Sequence, residues 1–332
     1  MTFFPQLIAG TIVHHKEMLP QFEHNETFKP HSLNFALGLT LFSIGIFKKV
    51  VFADNAAVFA TPVFNAADAG SSVTFIEAWL GTSAYTLQLY FDFSGYTDMA
   101  LGLAMLFGIR LPDNFDSPYK SVSIVEFWRR WHITLSRFLR DYLYIALGGN
   151  RKGKTRRYTN LMATMVLGGI WHGAGWNFMM WGFLHGSYLV INHWWSATRR
   201  RLLTASVGKL ETAAYWALTM LAVMVSWVFF RAETTEGALH MLNTMVHIDL
   251  SSPLQSSLIN SKRAIAVCGA LFIVAIFCPN SGQVIRFVES RLTQPKVGFQ
   301  WVTYIPAAIS SVGFIVSVGL IGQLSEFLYF NF

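Results

Sequence analysis

The residues best placed to do chemistry are two histidines in apolar surroundings. His172 sits near the start of GGIWHGAGWNFMMWGFLH, Gly168 to His185, a run without formal charge. His132 lies in EFWRRWHITLSRFLR, Glu126 to Arg140, about 40 residues upstream. An imidazole among apolar residues is costly to charge, so it is expected to stay neutral and able to take a proton. A general base needs that property. The alternative for each is a packing role, hydrogen-bonded to a neighbouring helix. Two such histidines, each among tryptophans with glycine or arginine nearby, favour the chemical reading. His185 and His193 are expected to pack helices or lie at an interface, and His14, His15, His24 and His31 to be surface groups.

Other chemistries lack their residues. The chain holds no G-x-S-x-G elbow, no Walker loop, no G-x-G-x-x-G and no H-E-x-x-H. His132 and His172 lack a third ligand at recognisable spacing, so no metal site is expected. Asp92, Asp98 and Trp171 are candidates for orienting a substrate, although the aspartates could equally cap a broken helix. No cation within the spans is an obvious partner for either aspartate. Arg129, Arg130, Arg137 and Arg140 read first as lipid-headgroup contacts. The functional alternative makes Arg129 and Arg130, with Arg151 and Arg157 of the loop GGNRKGKTRR, attract a phosphate-bearing cofactor.

The elements around these residues are membrane helices. Of 332 residues, 53% are hydrophobic and only 13% charged, about half the share of a soluble domain. Mean hydropathy is +0.41. The apolar residues fall in several runs of spanning length, which predicts an all-α, polytopic bundle of about seven or eight membrane segments plus interfacial helices. The net charge of +7 reflects basic loops between apolar runs, where the positive-inside rule explains it better than nucleic acid does. Cys268 and Cys278 share one apolar run and read as buried thiols.

In chain order, Phe3 to Val13 is too short to span and reads as interfacial or re-entrant, and His14 to His31 as an amphipathic surface piece. Leu33 to Val51 is the first span, its Lys48 and Lys49 marking a cytoplasmic end. Pro62 to Ser72 reads as a loop. Val73 to Ile109 is long enough for two passes or one broken one, with Ser94-Gly95 as the break. Ser123 and Glu126 form a capping-box pattern ahead of an interfacial helix whose apolar residues are Phe127, Trp131, Leu135, Phe138 and Leu139. Between the basic segments at Arg157 and Arg199, a pair of helices is expected, with His172 roughly 22 Å along the first at ~1.5 Å per residue. Ala213 to Phe230, Ala264 to Phe277 and Val302 to Ile321 complete the spans, and the chain ends in an aromatic EFLYFNF.

Three stretches carry a resemblance: QLYFDFSGYTDMALGLAMLFGIRLPDNFDSPY, EFWRRWHITLSRFLRDYLYIALGGNRKG and LGGIWHGAGWNFMMWGFLHG. Together with FFPQLIAG, HKEMLPQF and the terminal FLYFNF, they resemble the membrane-bound O-acyltransferase family, in its bacterial alginate O-acetyltransferase branch. D-alanyl transfer proteins of teichoic acid modification are a more distant match. The resemblance covers nearly the whole chain and implies one family-type transmembrane domain, residues 1–332, in a bacterial inner membrane. It implies helices around a tunnel, where an acyl group from a cytoplasmic thioester such as acyl-CoA meets a hydroxyl from the far side. It also implies that His172 and His132 hold the family's two histidine positions. Expected partners are the bilayer, the thioester donor, and periplasmic acetyl-transfer proteins or an exported polysaccharide; no bound cofactor is expected. Members of this branch usually carry further helices before FFPQLIAG, so an N-terminally shortened chain is expected, and Thr11 stands where they have proline. The competing class is a non-catalytic scaffold or transporter component of a polysaccharide-modifying complex.

Overall fold

The structure, a computed structural model, describes residues 3–4, 12–13, 15–23, 27–202, 208–248, 258–293 and 301–320 of the chain. Most of the Phe3 to Val13 segment and the whole of EFLYFNF therefore lie outside the described residues. Those described form helices α1 (His15–Glu23), α2 (Ser32–Phe47), α3 (Asp54–Asp68) and α4 (Phe75–Leu106), then α5 (Ile124–Arg130), α6 (Ile133–Phe138), α7 (Gly153–His172) and α8 (Trp176–Leu202). They continue with α9 (Lys209–Arg231), α10 (Thr235–Val246), α11 (Ser261–Phe277), α12 (Ser281–Thr293) and α13 (Trp301–Leu320), and include no β-strand. All-helical architecture is the expected answer for an apolar chain, since a helix satisfies its backbone groups internally. By length and composition, two helices are suited to cross a membrane, Ser32–Asp68 and Lys209–Arg231, or three if the pair α11 and α12 is one broken span.

The chain divides into two compact units. One holds residues 1–55, 88–116 and 277–331; the other holds 56–87 and 117–276. In the first unit, α2 crosses the second half of α4 so closely that only hydrogen fits at the crossing. A Cβ on Gly95 would sit 2.7 Å from the Gly45 carbonyl oxygen, and one on Gly102 would sit 2.6 Å from that of Gly38. Glycine at seven-residue spacing on both helices thus sets their separation. Gly95 is a contact residue and α4 runs unbroken over 32 residues, so the break expected at Ser94-Gly95 is not there.

The same crossing corrects the reading of Lys48 and Lys49. A π-helical turn, Lys48–Ala53, carries α2 into α3 instead of ending it. Both lysines turn inward. Lys49 Nζ lies 2.7 Å from Asp92 and 2.9 Å from Asp54, and Lys48 Nζ lies 2.7 Å from Asp98. The two aspartates that lacked an obvious cation therefore have one each, and the lysines mark no helix end. A one-residue insertion of this kind shifts the register of the following side chains, which periodicity cannot anticipate.

The second unit also departs from expectation where packing outweighs local preference. Pro62 lies inside α3, where a loop was expected. The buried face of Ala56, Phe59, Ala60, Val63, Phe64 and Ala67 offsets the ~3 kcal/mol a helix-interior proline costs. In the next hairpin, α7 and α8 are the expected pair. Gly169 and Gly182 let them touch backbone to backbone, since a Cβ on Gly169 would sit 3.2 Å from the Gly182 Cα. Cys268 is buried as expected, whereas Cys278, just past the end of α11, is exposed.

Lys49 and Asp92 are 2% and 1% exposed at their side chains, so removing one partner strands a buried charge. Lys49→Met is expected to destabilise the protein by about 3–5 kcal/mol, and Lys49→Met with Asp92→Leu to recover most of that loss. Melting of the detergent-solubilised variants reads this directly; a double variant no more stable than the single would show that the pair does not hold the crossing.

Candidate active site

The site belongs to the second unit and begins with a helix that fails to continue. Ser123 Oγ accepts from the Glu126 backbone N–H at 3.1 Å, the capping half of the expected box. The Glu126 carboxylate accepts from the Val122 N–H at 3.0 Å, one residue further back than the pattern predicts. The helix so started, α5, stops at Arg130. Trp131 is extended, and His132 adopts a left-handed backbone, φ 42° and ψ 56°, as the N-cap of α6. The expected helix over Glu126 to Arg140 is therefore two short helices, followed by a π-helical turn, Leu139–Tyr144. A left-handed residue without glycine costs roughly 1–2 kcal/mol, so the surrounding packing must hold it.

That packing is aromatic. Phe127, Trp131 and Tyr119 lie nearly parallel, with ring centroids 5.6 Å apart for Phe127–Trp131 and 6.5 Å for Phe127–Tyr119. His185 continues the stack on Phe127 at 6.2 Å. Phe127, Trp131, Leu135 and Leu139 of the apolar face the sequence predicts are buried, and Phe138, its fifth member, is half-buried. Tyr119 is fixed by its hydroxyl, which donates to the Thr86 carbonyl at 2.6 Å.

His185 is fully engaged. Its Nδ1 accepts from the Trp128 indole N–H at 3.2 Å, so the ring proton sits on Nε2, which faces Ser226 Oγ at 2.9 Å. Ser226 in turn donates to the Val223 carbonyl at 2.7 Å. This chain ties α5, α8 and α9 together, and makes His185 the packing histidine that its place in the sequence suggests. His193 has a similar job, accepting from Arg157 at 2.8 Å across the α7–α8 hairpin.

His172 differs. It ends α7, the helix that also carries Arg157, so the separation of roughly 22 Å along the axis follows at ~1.5 Å per residue. Its ring meets Trp181 edge-to-face at 5.2 Å, Phe230 at 5.3 Å and Trp171 at 5.0 Å. Among the described residues it has no hydrogen bond, and it is only partly covered. The buried indole N–H groups of Trp181, beside it, and of Trp227, stacked on Trp181, likewise have no acceptor among the described residues. Sequence reasoning missed them because tryptophans in an apolar helix read as packing.

His132, 2% exposed, is near enough to His172 to feel its charge. Burial, and then the neighbouring His172, hold its imidazole well below the usual range. The structure thus brings together His132, His172 and Trp171. Asp92 and Asp98 belong to the other unit, each in its lysine pair. Of the arginine candidates, Arg130 pairs with Glu126 at 2.9 Å and Arg157 with His193, whereas Arg129 and Arg151 are exposed. No three potential metal ligands converge among the described residues.

The site thus holds two histidines within electrostatic reach of each other, one fully buried and one half-buried among aromatic rings. Residues 1–232 match the model of MBOAT, the membrane-bound O-acyltransferase family. The chain belongs to that family. It is 42% identical to the "Peptidoglycan O-acetyltransferase" of Helicobacter pylori, over 100% of this chain and 63% of that one. It is 39% identical to the "Probable alginate O-acetylase AlgI" of Pseudomonas putida, over 100% of this chain and 68% of that one. A "Teichoic acid D-alanyltransferase" of Streptococcus thermophilus is 39% identical over 36% of this chain and 30% of its own length. The chain thus spans 63% of the length of the Helicobacter relative.

Because the folded protein holds His132 neutral, its depressed value links stability to pH. The contribution is full above about 6.5, the ordinary value, and is lost as pH falls towards the depressed one. Wild type is therefore expected to lose melting temperature between pH 7 and 5 more steeply than His132→Gln. Parallel melting curves would refute a buried neutral His132.

Proposed function

We propose that the protein is an O-acyltransferase that moves an acyl group, acetyl in our reading, from a cytoplasmic thioester to a hydroxyl of an exported polysaccharide. The observation that carries this is the contrast between His185, whose two ring nitrogens are committed, and His172, whose nitrogens are open beside His132. The family supports the reaction class. Relatives named for peptidoglycan and alginate support a polysaccharide acceptor.

In this mechanism His172 takes the proton of the acceptor hydroxyl as its oxygen attacks the thioester carbonyl. The tetrahedral intermediate collapses by breaking the C–S bond, and the imidazolium returns its proton to the leaving thiolate. His132 orients the reactants or stabilises the oxyanion, and the indole N–H of Trp181 or Trp227 adds a donor for the same charge. Trp171 walls the imidazole. The donor, acyl-CoA or another acyl thioester, is a co-substrate, and no resident cofactor is required. Arg151 and its basic neighbours draw its phosphates, with Arg129 as a second candidate.

We place the chain as a single family domain, multi-pass in a bacterial inner membrane, with about seven or eight membrane segments. Helices of 32 residues in α4, 27 in α8 and 20 in α7 have the length for further passes, since 20 residues extend roughly 30 Å, beyond the two or three that length and composition together select. Periplasmic acetyl-transfer proteins, or the polysaccharide itself, would receive the group.

His172→Ala is expected to cut acyl transfer from radiolabelled acetyl-CoA by roughly 10²–10⁴-fold in membranes, with unchanged protein level and melting temperature. Normal turnover by that variant would remove the base from the mechanism and favour a non-catalytic scaffold.

A further inference from the structure

The first unit encloses a cavity of about 320 Å³ that the chemistry above leaves unused. Its size is at the small end for ligand sites, with room for one ring rather than a chain. The floor is polar and buried. Lys48 donates to Asp98 and to Ser281, and Ser281 donates to Asp98, joining the π-helical turn after α2, α4 and the first residue of α12 in one hydrogen-bonded group. At the mouth, Arg110 pairs with Glu289 at 2.8 Å, and burial holds Asp113 above the usual carboxylate range, with Arg286 nearby opposing that shift.

Thr97 gives the second observation. It lines the cavity, is 2% exposed, and its Oγ1 has no partner among the described residues. Three other buried threonines in these helices return their hydroxyls to the carbonyl four residues back, Thr86 to Thr82 at 2.8 Å, Thr164 to Asn160 at 2.7 Å and Thr219 to Tyr215 at 2.8 Å, and Thr82 donates to the Met245 sulfur at 3.5 Å. Thr97 does neither. An unbonded buried hydroxyl is costly, and a ligand hydroxyl in the cavity would satisfy it.

The lining also defines the ligand. Its three cations, Lys48, Arg110 and Arg286, are matched by three carboxylates, Asp98, Asp113 and Glu289, so the walls give no net attraction to an ion. They offer donors and acceptors in alternation. Tyr90 and Phe115, edge-to-face at 6.0 Å, add apolar ring surface to one side. A group with hydroxyls around its edge and C–H bonds on its face meets both conditions. We propose that this cavity binds one neutral sugar ring, with the Thr97 hydroxyl as a direct contact. The proposal goes beyond acyl transfer and does not depend on His172.

Saturation-transfer NMR of the detergent-solubilised full chain with methyl α-D-glucopyranoside tests it. Saturable, millimolar binding is expected, weakened roughly 2- to 10-fold by Thr97→Val, the worth of one hydrogen bond, and kept by Thr97→Ser. His172→Ala is expected to bind the sugar as wild type does, so a failed transfer assay and a failed binding assay remain distinguishable. Absence of saturable binding, equal loss in Thr97→Val and Thr97→Ser, or tighter binding of glucuronate or phosphocholine than of the neutral glycoside would each overturn the proposal.

Discussion

A polar atom withdrawn from water must find a partner inside the protein, and most of this structure can be read as the answer to that requirement. Backbone groups are answered by helices. Lys48 and Lys49 are answered by Asp98 and Asp92, and the glycines at the α2–α4 crossing bring the helices close enough for those pairs to form. His185 is answered on both ring nitrogens. Against so consistent a background, the exceptions are informative. The His172 ring, the indole N–H groups of Trp181 and Trp227 and the hydroxyl of Thr97 are among the groups without a hydrogen-bond partner in the described residues, as are Gln88 Oε1, Ser121 Oγ and Ser261 Oγ, and of these Thr97 lines a cavity.

Much of this was legible in the sequence, and the misses share a cause. His172 and His132 stand out because titratable groups are rare in apolar runs, and the α7–α8 hairpin follows from basic segments on either side of one. Ser123 and Glu126 announce the start of α5 by residue type alone. What the sequence did not disclose depends on partners distant along the chain. Lys48 and Lys49 look like a span end until Asp92 and Asp98, more than 40 residues later, are seen to face them. Ser94-Gly95 looks like a break until Gly45 is placed against it. Pro62 looks like a loop residue until the buried face around it is counted. Trp181 and Trp227 differ from Trp79, Trp128, Trp195 and Trp216 in lacking an acceptor among the described residues, which no spacing encodes.

The interruption at Trp131 and His132 shows how a local cost becomes functional geometry. A continuous helix from Ile124 would place successive side chains about 100° apart, so Trp131 and His132 could not both be buried on one narrow face. Extending Trp131 and turning His132 left-handed restarts the helix, and both side chains end buried, at 4% and 2% exposure. Trp131 joins the ring stack on Phe127, and His132 comes within electrostatic reach of His172. Backbone freed by such a break is tolerable in an apolar setting only when enclosed by protein, and here Ser136 recovers the His132 carbonyl at 2.9 Å. The strain at His132 is therefore held by the stack that immobilises it, and a ring fixed in this way can meet its neighbour without spending conformational entropy when a ligand arrives.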